Sequence, residues 1–238
     1  FENCIFAFNQ AKTGAAIYYE FGGAAQFFNC TFYNNSANTG GAVYSASDSH
    51  IYFSNCEFEQ NISLEYSGGA ISCWESEATI TDSVFENNSS ANNAGAIYFV
   101  NSTADISNTV FQNNDAFGNA GAINCYFSSI NLSHCTLNSN SASEAGGIYI
   151  SYESFADISN SIISFSAVGE GIKYFDNGYA LISCSNIFGN SDGDWTNEII
   201  DQLAFNNNMS LNPELCNSQE LPYLDYGSPC AYENNIEC

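Results

Sequence analysis

The sequence predicts an all-β protein, a parallel β-helix of seven to eight coils with about 26 residues in each. Three observations predict it. The stretch "NNSANTGGAVY" at 34–44 returns as "NNSSANNAGAIY" at 87–98, "NNDAFGNAGAIN" at 113–124 and "NSNSASEAGGIY" at 138–149. A large apolar residue recurs at Phe6, Phe32, Phe58, Phe85, Phe111, Leu137, Ile163 and Ile187, in steps of 26, 26, 27, 26, 26, 26 and 24. Between these marks the apolar residues alternate, with Gly and Asn as punctuation, which is strand and turn chemistry rather than helix chemistry. A sustained period of this length means a solenoid.

Each coil holds three short strands. In the first, a small residue precedes the anchor by two: Cys4, Cys30, Cys56, Ser83, Thr109, Cys135, Ser161 and Ser185. Residues i and i+2 share a face of a strand, so this pair points inward. Three residues after each anchor comes a corner column: Asn9, Asn35, Asn61, Asn88, Asn114, Asn140, then Ser166, then Asn190. Asn tolerates the left-handed backbone region and bonds neighbouring backbone. Coils stack about 4.8 Å apart, so asparagines at one corner can form a ladder.

Gly41, Gly69, Gly95, Gly121 and Gly146 then open the second strand, where a tight bend leaves no room for a side chain. That strand carries Ile17, Val43, Ile71, Ile97, Ile123, Ile148 and Ile172 inward, with Tyr19, Ser45, Cys73, Phe99, Cys125, Ile150 and Tyr174 two residues later. The third strand is read from Tyr52, Ile80, Ile106, Leu132, Ile158 and Ile182. Residues 1–190 are read as coils and 191–238 as a segment closing the last coil, with a short helix over 194–205.

Composition excludes whole classes of function. There are two lysines, no arginine and 26 acidic residues, for a net charge of −24. Phosphate neutralisation needs Lys and Arg, so nucleic acid is not a partner, and an anionic membrane surface repels the chain. No apolar run is long enough to span a membrane. Aromatic residues make up 15% of the chain, which argues against acidic disorder. Ten cysteines with no CxxC pair point to an oxidising compartment. The sequons at Asn34, Asn87, Asn101, Asn131 and Asn208 agree with an extracellular or cell-surface address as candidate glycosylation sites. The chain starts at Phe1, inside a coil, without an initiator Met or a leader. It reads as a processed product or part of a longer chain, with its first coil covered by further sequence or by another chain.

The repeats "GGAV" at 40–43, "GGAI" at 68–71 and "AGAI" at 94–97 and 120–123, with "FYNN", "FEQN", "FENN" and "FQNN", resemble those of the polymorphic outer-membrane-protein type of right-handed β-helix. The end, "GNSDGDW" at 189–195, "NPELC" at 212–216 and "GSPC" at 227–230, is similar to a group of secreted bacterial β-helix proteins. The resemblance implies a right-handed helix and secretion. It does not choose among lyases, glycosidases, adhesins and structural proteins, all of which this fold hosts.

Candidate sites follow from residue types. A lyase of this fold would by analogy need Ca²⁺ carboxylates beside a basic residue, and the chain has no Arg and only two distant lysines. A glycosidase needs facing carboxylates, and the clustered ones are Asp192 and Asp194, with Glu198 and Asp201 nearby. The plainer reading of that cluster is an acidic, solvated loop. The cofactor reading is none, with Ca²⁺ at Asp192 and Asp194 as the alternative. His50 and His134 are lone surface or corner residues. Cys4, Cys30 and Cys56 read as small buried thiols, although neighbouring coils bring them within disulfide range. The expected disulfides are Cys230–Cys238 and then Cys184–Cys216. Tyr18, Tyr44, Tyr98 and Tyr149, on the outward side of the second strand, form a candidate surface for glycans or a neighbouring chain. The sequence thus reads as a non-catalytic secreted or cell-surface structural protein: an adhesin stalk, or a filament subunit associating end to end with itself or with other surface proteins. The alternative is a carbohydrate-active enzyme or glycan-binding module.

Overall fold

The computed structural model describes residues 1–216, 222–225 and 227–231. Three parallel sheets run the length of a solenoid of about seven turns. The first sheet stacks eight strands, from Ile5–Ala7 through Thr31–Tyr33, Glu57–Glu59, Val84–Glu86, Val110–Gln112, Thr136–Asn138 and Ile162–Ser164 to Asn186–Phe188. The second runs from Ile17–Tyr19 through Val43–Ala46, Ile71–Trp74, Ile97–Val100 and Ile123–Tyr126 to Ser141–Ser151 and Val168–Phe175. The third has seven strands, from Gly23–Phe28 to Tyr179–Ser183.

The register follows the repeat. Phe6, Phe32, Phe58, Phe85, Phe111, Leu137, Ile163 and Ile187 face one another across successive first-sheet strands. Their phenylalanine rings form a stack, with centroids 4.9, 4.6, 4.5 and 4.9 Å apart from Phe6 to Phe111. The strand spacing sets that distance, and aromatic rings fill it nearly in parallel. Ile17 through Ile172 likewise form one continuous column on the second sheet.

The third column differs from the expectation at one coil. Phe53 pairs with Ile80 and is buried, whereas Tyr52 pairs with Thr79 and is only partly buried. The corner before this strand contains two left-handed residues, Ser47 and Asp48, where the next coil has only Glu75. One extra corner residue shifts the strand by one, and a shift of one exchanges its faces.

The glycines differ in mechanism. Gly41, Gly69, Gly95, Gly121 and Gly146 are not left-handed. A Cβ on Gly69 would lie 2.0 Å from the Gly95 carbonyl oxygen of the next coil, and one on Gly95 would lie 2.4 Å from that of Gly121. Close approach between coils, not the bend, excludes a side chain there.

Beyond the last coil, Asn197–Ala204 forms a 3₁₀ helix. Trp195 and Ile199 are buried against the core, and Leu203 packs beside them. A short antiparallel pair, Leu215–Cys216 with Tyr223–Leu224, follows.

Candidate functional site

The corner asparagines form a hydrogen-bond ladder. Each Nδ2 donates to the next Oδ1, from Asn9 to Asn35, Asn61, Asn88, Asn114 and Asn140, at 2.8–3.0 Å. The same Oδ1 also accepts the previous asparagine's backbone N–H at 2.9–3.1 Å. From Asn35 onward, Nδ2 also reaches the previous coil's anchor carbonyl, as from Asn88 to Phe58 at 2.8 Å. Asn35, Asn61, Asn88, Asn114 and Asn140 are buried. The left-handed residue is the one before each: Asn34, Gln60, Asn87, Asn113 and Ser139. The ladder asparagines themselves are therefore selected for their amides rather than for backbone tolerance.

The side-chain ladder stops at Asn140, because the next coil carries Ser166 at this corner, and the acidic loop closes the same corner at Asn190. Asn190 Oδ1 accepts the Ser166 N–H at 3.1 Å. Asp194 Oδ1 accepts both the backbone N–H and the Nδ2 of Asn190, each at 2.8 Å, while its Oδ2 accepts the Gly189 N–H at 2.9 Å. Asp192 Oδ2 accepts the Gly169 N–H at 3.1 Å. Among the described residues no three His, Cys, Asp or Glu side chains converge as a metal site. Gln202 and Asn208 bond the last third-sheet strand and its corner: Gln202 Oε1 accepts the Ile182 N–H at 2.8 Å, and Asn208 Oδ1 accepts the Ser185 N–H at 3.1 Å.

The tyrosine row is not an open face. Tyr18 is 54% exposed, but Tyr44 and Tyr98 are partly buried and Tyr149 is buried against Ala120 and Ala145. Burial pushes the Tyr98 hydroxyl up to about 12. Segments preceding the second-sheet strands fold back across that sheet: a Cβ on Gly40 would lie 3.4 Å from the Ser72 Cβ and one on Gly68 3.2 Å from it, and Ala120 and Ala145 pack on Tyr149. Tyr18 and Tyr44 do stack, 5.4 Å apart.

The cysteines also differ from the expected pairs. Cys184 is disulfide-bonded. Its partner is not Cys216, whose Sγ–H donates to Asp225 Oδ2 at 3.6 Å. Cys230 is a thiol whose sulfur accepts from Asn186 Nδ2 at 3.3 Å, which removes the expected Cys230–Cys238 bridge; Cys238 lies outside the described residues. Cys4, Cys30, Cys56, Cys73, Cys125 and Cys135 are thiols. Burial pushes Cys56 up to about 11 and Cys73 and Cys135 up to about 12.

Four sequons leave their asparagines on the surface. Asn87, Asn101 and Asn131 are exposed and Asn34 is partly so. Asn131 donates to Asp105 Oδ1 at 2.7 Å. Asn208 is committed to the cap, with Nδ2 donating to Ile182 O at 2.8 Å and Gln202 O at 3.0 Å. His50 lies on the outer face of the third sheet, 3.5 Å from Glu77, and His134 occupies a left-handed corner. Lys173 is ion-paired with Glu144 at 2.8 Å and Glu170 at 3.4 Å.

Two features escaped the sequence reading. The corner between the third and first sheets carries an outer ladder, with Asn55 donating to Asn29 at 2.8 Å and Asn29 to Asn3 at 3.3 Å; the "N" of each "NC" pair is its signal. The corner between the second and third sheets carries an aromatic cluster in three consecutive coils. Tyr126, Phe127, Tyr152 and Phe175 pack in a chain with centroids 4.7–5.6 Å apart, and Phe155 lies 4.7 Å from Tyr179. Its trace in the sequence is "YF" at 126–127 returning as Tyr152 and Phe175 one and two coils on.

A repeating coil, three parallel sheets and an interior amide ladder define a parallel β-solenoid. The chain belongs to the family described as right-handed beta helix region, which matches residues 1–143. No curated protein and no solved structure matches it. No helix among the described residues is long and apolar enough to cross a membrane.

Proposed function

We propose that this chain is a non-catalytic secreted or cell-surface structural protein, a rigid stalk of the adhesin kind. The observation that carries the reading is the ladder: every coil from Asn9 to Asn140 is bonded to the next through a buried amide. Fully satisfied buried polar networks rigidify a fold, and a rod stiff along its axis suits a spacer. Of the carboxylates singled out for chemistry, Asp194 accepts backbone N–H groups on both oxygens, and the exposed Asp192 accepts one on Oδ2. The likeness of the "GGAI" and "FxxN" repeats to the polymorphic outer-membrane-protein type agrees with a surface address.

The cap weighs against a fibre that continues the solenoid head to tail, because Asp194, Gln202 and Asn208 already satisfy last-coil groups that a following coil would use. Negative-stain microscopy, with and without chelator, tests this. Separate rods in both conditions are expected. Ordered fibres would overturn the stalk in favour of an end-to-end filament, and fibres that dissolve in chelator would also restore Ca²⁺ to the account. Incubation with polysaccharides, read as new reducing ends or unsaturated products, tests the absence of catalysis.

The second reading, a glycan-binding module, is favoured by the aromatic corner of the later coils.

A further inference from the structure

We infer that the corner between the second and third sheets, over residues 126–181, is a binding strip for a neutral polysaccharide lying along the solenoid axis. The inference rests on the surface-protein reading and supplies its ligand. Phe127 is 44% exposed in one coil and Phe175 and Tyr179 are 51% and 52% exposed two coils on, with the partly buried Tyr152 and Phe155 in the coil between. Single exposed rings need no explanation, but a contiguous exposed apolar patch marks a site.

The backbone fixes where the rings stand. The corner column reads Glu75, Asn101, Phe127, Tyr152 and Asp176, and all five are left-handed, with φ of 49°, 46°, 48°, 53° and 46°. Asn and Asp adopt this region at little cost, while bulky residues are outliers there. Phe127 and Tyr152 therefore carry aromatic rings in an unfavourable conformation, with Phe127 exposed and Tyr152 partly buried among its neighbours. Phe8, Phe21 and Phe165 are left-handed as well, so the strip is marked by the adjacency of its rings and not by their backbone conformation.

The chemistry around the rings selects the ligand. A shallow hollow beside them is walled by Phe127 and Phe155 and edged by Asn101, Thr103, Ser129 and Glu153. Aromatic faces with a few placed donors and acceptors make a small-molecule site. The C–H faces of a sugar stack on rings, and its hydroxyls bond amide, hydroxyl and carboxylate groups. With a net charge of −24, an anionic polysaccharide is repelled. The strip extends over three coils at about 4.8 Å each, long enough for a chain rather than a single sugar.

The test is depletion from solution by insoluble cellulose, chitin, β-1,3-glucan and mannan. The double variant Phe127→Asn, Phe155→Ser places there the residues that the preceding coil carries at the same positions, Asn101 and Ser129. It is expected to melt no lower than the parent and to lose at least tenfold in affinity for the polysaccharide that the parent binds. Phe21→Ala, at the far end, should bind as the parent does. Binding to none of the four, or binding that the double variant retains, overturns the strip. So does concentration-dependent self-association that the double variant abolishes, which would make a second copy the occupant. Product release from a bound polysaccharide would instead overturn the non-catalytic reading and leave the strip intact.

Discussion

Asp194 stands to Asn190 as each ladder asparagine stands to the one before it: a single Oδ1 takes both the backbone N–H and the side-chain Nδ2, each at 2.8 Å. The carboxylate imitates the next coil's amide and ends the series. Asp194→Ala leaves these donors and the Gly189 N–H without their partner. Hydrogen bonds to charged acceptors contribute about 1.5–3 kcal/mol each, less where water can replace them. Asp194 is partly exposed, so a loss of about 2 kcal/mol is expected, read by urea unfolding. Hydrogen exchange should quicken in residues 162–190 first.

Within the ladder the cost is larger. Asn88→Ala strips acceptors from the Asn61 N–H and Nδ2 and a donor from the Phe58 carbonyl, all buried. Unsatisfied buried groups cost about 1–3 kcal/mol each, so a loss of at least about 3 kcal/mol is expected. Asn87→Gly, one residue earlier, changes an exposed left-handed position and should stay within about 0.5 kcal/mol. Equal effects from the two would show that the ladder contributes nothing special.

The buried thiols set an alkaline limit. Cys73 and Cys135 titrate near 12 in the folded state because burial disfavours the thiolate, against about 8.5 when unfolded. Between those values the folded chain holds more protons than the unfolded one, so stability falls as pH rises. Each thiol removes roughly 1.4 kcal/mol per pH unit across that window. The Cys73→Ala, Cys135→Ala variant should show a shallower fall in melting temperature from pH 8 to 10, although it is less stable at pH 7.

On the outer face of the first sheet, Glu59 lies in register with Glu86. Partial burial, then Glu57 and Glu86, raise the Glu59 carboxyl above its usual range. A raised acid costs stability when it ionises, so Glu59→Gln should stabilise at neutral pH, by up to about 1 kcal/mol on the scale of cross-strand like charges. The gain should vanish below about pH 4, where carboxylates are protonated. A gain unchanged by pH would assign it to packing.

The columns of Phe6 to Ile187 and Ile17 to Ile172 were legible because a strand's inward residues must superpose on those of the next coil. Corner length was not legible. A corner of one residue, Glu75, and one of two, Ser47–Asp48, both read as polar turn, yet the extra residue decides that Phe53 and not Tyr52 faces the core. The tyrosine row failed for a related reason. Alternation puts Tyr149 on the outer side of its strand, but the segment that covers it comes from chain folding back, and no period in the sequence reports that layer. Cys184 was expected in a disulfide and is in one, but the expected pairing with Cys216 was wrong, because a solenoid's closing segment has no repeat against which to align its cysteines. The aromatic corner had a signal in Tyr126, Tyr152 and Phe175, each already attributable to strand preference.

Because the coils anchored by Phe32, Phe58, Phe85 and Phe111 present the same anchor and corner amide to their neighbours, this part of the molecule can change length without inventing an interface. Removing or duplicating one repeat, anchor to anchor, joins like to like: Phe stacks on Phe and amide meets amide. Unequal exchange between repeats in the gene would then alter the length of the solenoid in increments of about 4.8 Å, and the cap on the last coil would move with it unchanged. Height becomes a counted, heritable quantity, separable from whatever the surface binds.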